Sequence, residues 1–329
     1  MASERVLFLH SKNSFMKIIG TGSALPSLAV TNDMLSEILD TSHEWIATRT
    51  GISQRRIISH ESLVELGVSA CKKALENAKL EAKDIDFLIC SNTVNNYVTP
   101  ALSCIIQGEL GANCPCIDLN SACSGFVYAL DMAAAYLDAR KAKNILIVCA
   151  EEPSKIVDWS ARDTSILFGD GAAATVVTQG KKLKSIHLST TCAVEPLYYQ
   201  RKLEFNPYNK KEEFKPLVMN GKDIYKMAVN ASVQDISKVM KEAKVTQKEI
   251  SFYLLHQANV RIMETIREYL GEKEEKFPKN IHKYGNTSSA TIPILLDEMN
   301  RGGQLKDGDL LVMSAFGAGF STGACVLEW

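Results

Sequence analysis

Residues 117–130 read IDLNSACSGFVYAL, a stretch that combines a strand, a turn of small residues and the start of a helix. The run from Cys114 to Leu119 has the apolar character of a strand. The following helix is predicted from apolar residues that share one face: Phe126, Val127, Leu130, Ala134 and Leu137. Cys123 stands where this helix should begin, and the unpaired N–H groups of a helix start lower the pKa of a thiol. The stretch therefore suits a nucleophile elbow, and a buried structural cysteine remains the alternative.

The composition is that of an ordinary globular protein. The 329 residues are 46% hydrophobic and 23% charged, enough for two domains or one large α/β unit. The net charge of −1 gives no electrostatic basis for binding nucleic acid or an anionic membrane. No apolar run approaches the roughly 20 residues of a transmembrane helix, so no membrane segment is expected.

The nine cysteines favour a reducing compartment. Their number is odd, most lie in apolar runs and no secretory signal precedes them, which predicts free thiols and a cytoplasmic location. Cys114 and Cys116 could form half of a metal site, but no second pair follows, and on a strand both would face the core. No metal is therefore expected. Residues 1–15, which precede a second methionine, are interpreted as a tag or an N-terminal extension.

The chain repeats one pattern of apolar and charged residues. Residues 75–92 (LENAKLEAKDIDFLICSN) match residues 240–257 (MKEAKVTQKEISFYLLHQ) at a constant offset of 165 residues. Between the two copies, residues 195–216 have no clear period and are interpreted as a long loop. The sequence thus predicts two copies of one α/β unit. The two predicted halves are residues 16–184 and 185–329.

The duplication predicts which side chains meet. Ligands of α/β folds bind at the carboxyl ends of strands, and a pseudo-twofold axis would bring both sets of strand ends together. The offset of 165 puts Ser288 opposite Cys123 and puts His256 at a strand end of the second copy. Cys123 is then expected to meet His256 and Asn286, a set suited to acyl transfer. Taken singly, His256 also fits a structural histidine and Asn286 a turn residue.

Six motifs, taken in order, resemble one family. They are residues 40–52 (DTSHEWIATRTGI), 122–126 (ACSGF), 168–171 (FGDG), 256–259 (HQAN), 284–288 (YGNTS) and 316–320 (FGAGF). Together they closely resemble β-ketoacyl-[acyl-carrier-protein] synthase III, the initiating condensing enzyme of bacterial fatty-acid synthesis, of the thiolase-like superfamily. The resemblance runs from about Met16 to Trp329. It implies a duplicated thiolase-like α/β fold layered αβαβα, a homodimer and no cofactor.

The resemblance also implies a reaction. Cys123 takes an acyl group from acyl-CoA as a thioester, and malonyl-acyl-carrier protein then loses CO₂ and attacks that thioester. His256 and Asn286 hydrogen-bond the enolate that forms, and the backbone N–H groups of Cys123 and Ala318 form the oxyanion hole. Acyl-CoA and the acyl-carrier protein are thus the implied partners.

The positions that hold CoA carry over from the same resemblance. Trp45 stacks on the adenine, with Arg49 and Arg162 beside it. The pantetheine tunnel is lined by Thr41, Gly221, Ala258 and Asn259. An amphipathic, half-buried tryptophan is the alternative for Trp45.

Two positions depart from the family. Glu268 stands where many relatives have lysine, near the basic positions implied to dock the acidic carrier protein: Lys226, Arg261 and Arg267. Thr99 stands where some relatives have a phenylalanine that reaches across the dimer and closes the acyl pocket. A threonine leaves more room, so we expect a primer longer or more branched than acetyl.

Two other functions stay open. The same residues could move an acyl group onto another nucleophile, such as oxygen or nitrogen, or use a longer acyl primer, in a secondary-metabolite pathway. A non-enzymatic binding or metal protein would carry metal and form no covalent acyl adduct. Thiolases and elongating synthases are disfavoured, because they need a second catalytic Cys or His where Asn286 stands.

Overall fold

The computed structural model describes residues 16–200 and 215–329. The predicted N-terminal extension (1–15) and part of the predicted loop (201–214) lie outside the described residues. The strands are β1 (Met16–Ala24), β2 (Leu28–Thr31), β3 (Gln54–Ile57), β4 (Phe87–Ser91), β5 (Cys116–Leu119), β6 (Asn144–Glu151), β7 (Gly171–Gln179), β8 (Leu183–Ala193), β9 (Leu197–Tyr198), β10 (Val218–Met219), β11 (Ile250–Leu255), β12 (Leu310–Gly317) and β13 (Gly319–Glu328). The α-helices are α1 (Asn32–Ser36), α2 (His43–Thr50), α3 (Leu63–Ala78), α4 (Leu102–Leu110), α5 (Gly125–Asp138), α6 (Arg162–Ser165), α7 (Gly221–Ala243), α8 (Val260–Leu270), α9 (Ile281–Tyr284) and α10 (Thr291–Arg301).

Two sheets organise the chain, and they have the same internal order. The first runs β1-β7-β6-β4-β5 and the second β8-β13-β12-β11. In each sheet the first two neighbouring pairs are antiparallel and the third pair is parallel. The second sheet therefore repeats the first four strands of the first sheet, which confirms the predicted duplication of the fold.

The helix ends repeat as well. The residue that caps the end of α3 is Lys79 and the one that caps α7 is Lys244, and both have a left-handed backbone, with φ of 56° and 58°. Each helix is followed by a short 3₁₀ turn, at residues 82–84 and 247–249. These paired features keep the offset of 165 residues seen in the sequence.

Three apolar cores join five layers, and the central core covers both faces of the middle layer of helices. Successive residues of a strand face opposite sides, so Leu146 of β6 packs on α3 and α4 while Ile147 packs toward α5 and α10. In the second sheet Val312 packs toward α7 and α8, and Met313 packs toward the central helices. The order of layers is αβαβα, as the resemblance implies. Strands covered on both faces explain why the sequence reads as unbroken apolar runs.

The boundaries of α3 follow from its sequence. Ser62 Oγ accepts from the N–H of Glu65 (3.2 Å), and the Glu65 carboxylate accepts from the N–H of Ser62 (2.6 Å). This reciprocal capping box satisfies two donors that a helix start would leave unpaired. The apolar face of the helix is buried against the first sheet: Leu63, Leu66, Ala70, Ala74 and Leu75.

The two sheets divide within residues 180–182, since β7 ends at Gln179 and β8 begins at Leu183. The predicted boundary at 184/185 lies inside β8, and the division of the chain into two domains stays a proposal. Inside the predicted loop, Leu197–Tyr198 pairs with β10. The sequence did not predict this pair, because two-residue strands are too short to show a period.

The nine cysteines are all unpaired thiols. Cys114 and Cys116 pack against the core beneath α3 and α4. Within residues 16–200 and 215–329, no group of three or more His, Cys, Asp or Glu side chains is placed to hold a metal ion. No helix in that part of the chain has both the length and the apolar character needed to cross a membrane.

Candidate active site

A cleft of about 1200 Å³ lies at the carboxyl ends of strands from both sheets. Its wall includes Asn92 and Glu151 from the first half and Phe316 from the second. Cys123, His256 and Asn286 also line it, so the structure brings together the three residues that the duplication predicts to meet. Of the other predicted positions, Gly221, Ala258, Asn259 and Ala318 line the same cleft.

Cys123 lies in a single turn between β5 and α5. Residues 122–124 form a 3₁₀ turn, and α5 begins at Gly125. The Cys123 thiol donates to Ser288 Oγ at 3.5 Å. The end of β12 presses on this turn, because a Cβ added at Gly317 would lie 2.8 Å from the Cys123 nitrogen. Glycine is thus required at this close approach.

The Cys123 thiol is less acidic than its position at a helix start predicts. Burial raises the pKa of this thiol to about 12, although the hydrogen bond with Ser288 acts in the opposite direction. Loss of hydration disfavours the thiolate, and here it outweighs the effect of the helix start. The free thiol therefore needs a base to accept its proton before it can attack a thioester.

The second half contains a matching turn with serine in place of cysteine. Ser288–Ala290 forms the 3₁₀ turn that precedes α10, and its first residue shares a left-handed φ with Ala122, 53° against 46°. The residue opposite Cys123 is therefore Ser289. The sequence offset of 165 predicted Ser288, which is wrong by one position because one extra residue enters between β11 and this turn.

His256 follows β11 and is held by a threonine from α10. Its Nδ1 lies 2.7 Å from Thr291 Oγ1, and its ring packs edge-on against Phe316 with centroids 5.2 Å apart. Burial lowers the pKa of His256 to about 3, so the imidazole stays neutral at physiological pH. With Nδ1 engaged, Nε2 is the ring nitrogen left to contact a ligand.

Asn286 is oriented by the backbone of its own turn. Its Oδ1 accepts from the N–H of Ser288 at 2.9 Å, which leaves Nδ2 as the donor available to a ligand. Its backbone exchanges hydrogen bonds with Leu167 (2.8 Å) and Gly169 (3.1 Å). The Phe-Gly-Asp-Gly motif thus holds this asparagine, and a Cβ at Gly169 would lie 2.2 Å from the Tyr284 carbonyl oxygen.

Glu151 is a site residue that the sequence reasoning missed. It ends β6, is 1% exposed and lines the cleft. Burial raises the pKa of its carboxyl to about 7, while hydrogen bonds from Ser289, Thr93 and Ser288 act in the opposite direction. A signal was present in the sequence: an acidic residue directly after the apolar run 145–150, where strand ends carry function.

The remaining positions implied to bind CoA lie outside the wall of the cleft. Trp45 on α2 carries two cation–π contacts, with the guanidinium carbons of Arg49 and Arg162 each 4.3 Å from its ring centroid. Arg162 also donates to the Asp40 carbonyl at 2.7 Å. The hydroxyl of Thr41 is buried without a hydrogen-bond partner.

The basic residues implied to dock a carrier protein differ in their exposure and in whether their charge is paired with a carboxylate. Lys226 on α7 is exposed. Arg261 donates to the Thr48 carbonyl at 3.4 Å. Arg267 is 2.8 Å from Glu264 and 3.7 Å from Glu268, so two carboxylates partly neutralise it.

Comparison with known proteins agrees with the geometry. The family model described as 3-oxoacyl-[acyl-carrier-protein] synthase III matches residues 117–194, and its C-terminal counterpart matches residues 240–329. A β-ketoacyl-[acyl-carrier-protein] synthase III of Clostridium acetobutylicum is 39% identical over 320 residues, covering 95% of this chain and 98% of the relative. The chain belongs to the synthase III family. The first matched segment contains Cys123, and the second contains His256 and Asn286.

Solved structures of synthase III relatives share the fold. The enzyme of Aquifex aeolicus is 38% identical with a TM-score of 0.89, covering 95% of this chain and all of that one. The priming β-ketosynthase of the R1128 polyketide biosynthetic pathway is 32% identical with a TM-score of 0.91, covering 99% of this chain and 98% of that one. The thiolase-like fold expected from the sequence is confirmed.

Proposed function

We propose that this protein catalyses a decarboxylating condensation between an acyl-CoA primer and malonyl-acyl-carrier protein, the initiating step of bacterial fatty-acid synthesis. The observation that carries the proposal is the convergence of Cys123, His256 and Asn286 in one cleft. A thiol nucleophile and two neutral hydrogen-bond donors are the groups that thioester formation and enolate stabilisation require. No cofactor takes part in this reaction; acyl-CoA and the carrier protein are substrates.

In the first step Cys123 attacks the acyl-CoA carbonyl, and the C–S bond to CoA breaks. The backbone N–H groups of Cys123 and Ala318 stabilise the oxyanion. The close approach of Gly317 to the Cys123 nitrogen supports this role for the loop, since it brings the backbone of residues 317–318 to the nucleophile.

In the second step the malonyl group loses CO₂, and its thioester oxygen becomes an enolate. Nδ2 of Asn286 and Nε2–H of His256 are the donors for this oxygen. The histidine donates only in the tautomer that carries the proton on Nε2. The Thr291 hydroxyl, which donates to the Ser288 carbonyl at 3.1 Å, must then turn its proton toward Nδ1 at that stage. The low pKa of His256 supports donation from a neutral ring.

Replacing Thr291 with valine tests this tautomer directly. Valine keeps the shape but removes the hydroxyl 2.7 Å from His256 Nδ1. We expect CO₂ release from malonyl-carrier protein to fall by roughly 10- to 100-fold, with acyl-enzyme formation little changed. Thr291→Ser, which keeps the hydroxyl, is the matched control, and equal rates for both variants would contradict the role.

We propose that the carrier protein docks beside the mouth of the cleft, on Lys226, Arg261 and Arg267. The exposure of Lys226 and the position of Arg261 next to Asn259 support the first two. The pairing of Arg267 with Glu264 makes it the weakest contributor.

CoA is proposed to bind with its adenine at Trp45, Arg49 and Arg162 and its pantetheine along Thr41, Gly221, Ala258 and Asn259.

The homodimer is also a proposal. β5 is an edge strand of the first sheet, and its Ile117 is 43% exposed. Tyr97 and Val98, just before Thr99, are 58% and 71% exposed. An unpaired edge with adjoining exposed apolar side chains is typical of a surface covered by a second subunit.

The acyl pocket is expected to accept a primer larger than acetyl, because threonine stands at position 99 where some relatives have a phenylalanine that closes the pocket. Tyr97 and Val98, just before it, line the cleft, whereas Thr99 does not. Turnover of acetyl-, isobutyryl- and octanoyl-CoA should show one of the larger primers used at least as fast as acetyl. Thr99→Phe should shift the preference toward acetyl. Strict use of acetyl by the unmodified protein would overturn this expectation.

A second function is favoured by one comparison, the similarity to a priming β-ketosynthase of a polyketide pathway. Such an enzyme could prime a secondary-metabolite pathway with a longer acyl group, or transfer the acyl group to another nucleophile. Product analysis with acyl-CoA and malonyl-carrier protein separates condensation from transfer to another nucleophile, and the primer preference separates a longer acyl group from a short one. A β-ketoacyl-carrier protein supports condensation, and an ester or amide would refute it.

A further inference from the structure

Glu151 is a buried carboxylate that the two-step reaction leaves without a role. Its Oε2 accepts from the N–H of Thr93 at 3.0 Å. Its Oε1 accepts from three hydroxyls: Ser289 Oγ at 2.6 Å, Ser288 Oγ at 3.2 Å and Thr93 Oγ1 at 3.4 Å. The serines come from the turn before α10, so the carboxylate joins the two pseudo-symmetric halves beneath the nucleophile.

A continuous hydrogen-bonded path leads from the nucleophile to this carboxylate. The Cys123 thiol donates to Ser288 Oγ at 3.5 Å, and Ser288 Oγ donates in turn to Glu151 Oε1 at 3.2 Å. Both bonds point in the direction that moves a proton away from sulfur. Ser288 is 5% exposed, so water does not compete freely for its hydroxyl.

The histidine of the site is not joined to the thiol in the same way. Its Nδ1 is occupied by Thr291, and no hydrogen bond links it to Cys123 within residues 16–200 and 215–329. A thiol with a raised pKa nevertheless has to lose its proton to attack. The serine and the carboxylate are the groups in contact that can take it.

We propose that Ser288 and Glu151 form a proton relay that accepts the thiol proton of Cys123 during acyl transfer. The S–H proton passes to Ser288 Oγ while the Ser288 proton passes to Glu151 Oε1. The sulfur then forms a bond to the acyl carbon, and the bond from that carbon to the CoA sulfur breaks. The proton balance closes when Glu151 returns its proton through Ser288 to the leaving CoA thiolate, which restores the carboxylate. This inference rests on the proposed function and assigns the base of its first step.

The electrostatic surroundings of Glu151 suit a proton acceptor. The titratable groups that face it are the thiols of Cys123, Cys149 and Cys90. The charge of Glu151 acts to raise the pKa of each of them. The neighbouring carboxylate Glu152 is paired with Lys155 at 2.6 Å. With a pKa near 7, Glu151 can both take and return a proton at physiological pH.

The test is the rate at which iodoacetamide alkylates Cys123 over about pH 5.5 to 9, followed by mass spectrometry of the peptide that contains Cys123, because Cys104 and Cys192 are also exposed. In the unmodified protein the rate should rise roughly tenfold per pH unit below about 7, where Glu151 is protonated, and level off above it. In Glu151→Gln the levelling should disappear, and the rate at pH 8 should be roughly 10- to 100-fold lower. Ser288→Ala should behave alike, and the double variant should lose no more than either single one.

Two further variants sharpen the outcome. Ser289→Ala removes a hydrogen bond that lowers the pKa of Glu151. The alkylation rate should therefore still level off, but at a higher pH. Glu152→Gln removes the adjacent carboxylate and should leave the pH at which the rate levels off unchanged.

A Glu151→Gln variant that alkylates as fast as the unmodified protein, or faster because a repelling charge is gone, overturns the relay. Alkylation needs no acyl or malonyl substrate, so that result leaves the proposed function standing, whereas failure of acyl-CoA to modify Cys123 would refute the function itself.

Discussion

Cys123→Ala is expected to abolish formation of the acyl-enzyme. Incubation with acyl-CoA should add one acyl mass to the unmodified protein and none to the variant, and condensation should fall by roughly 10⁴-fold or more. The reason is chemical: the thiol in the turn before α5 is the group proposed to form the thioester, and alanine leaves no nucleophile there. The substitution removes one sulfur atom from a partly exposed site, so the fold should be retained.

The control for this variant concerns the other thiols. Cys104 and Cys192 are exposed and could react with acyl-CoA without catalysis. Cys104→Ala should therefore acquire the acyl mass at the rate of the unmodified protein. An adduct that survives in Cys123→Ala and maps to another residue would remove Cys123 as the nucleophile.

Asn286→Asp is expected to block the second step while sparing the first. The aspartate keeps an oxygen for the N–H of Ser288, so the turn is retained, but it replaces the Nδ2 donor with an acceptor. A carboxylate facing a developing enolate destabilises it, and loss of one such donor typically costs about 10²- to 10³-fold in rate. Release of CO₂ from malonyl-carrier protein measures the step.

The same variant carries its own control, the acylation of Cys123. The mass adduct should form within a few fold of the unmodified rate, because Asn286 takes no part in that step. Loss of acylation and decarboxylation together would indicate a damaged cleft rather than a missing donor. Decarboxylation at the unmodified rate would exclude Asn286 from the enolate site.

The layered fold could be predicted because its signals are local and occur twice. The elbow at 117–130 places a strand, a turn and a helix within fourteen residues, and the pattern of 75–92 recurs at 240–257. The start of α3 follows in the same way from the local capping box of Ser62 and Glu65. The one-residue change in the offset between the two copies was not predicted. The extra residue before the second turn lies where no periodic pattern marks it.

The parts of the site that escaped prediction depend on contacts between the halves. Glu151 and Ser288 are 137 positions apart, and Thr291 is 35 positions from His256. Nothing in the sequence around any of these four residues indicates which residue it contacts. The pKa of Cys123 is a further case: a helix start is visible in sequence, whereas the burial that outweighs it is a property of the assembled cleft.

The central claim is that one half of the molecule supplies the nucleophile and the other supplies the donors for decarboxylation. Its most direct test is the intact mass of the acyl-enzyme, followed after malonyl-carrier protein is added. In the unmodified protein the acyl mass should appear and then disappear as CO₂ is released, and in Asn286→Asp it should appear and persist. An acyl mass on Cys123→Ala, or its consumption by Asn286→Asp at the unmodified rate, would contradict the account.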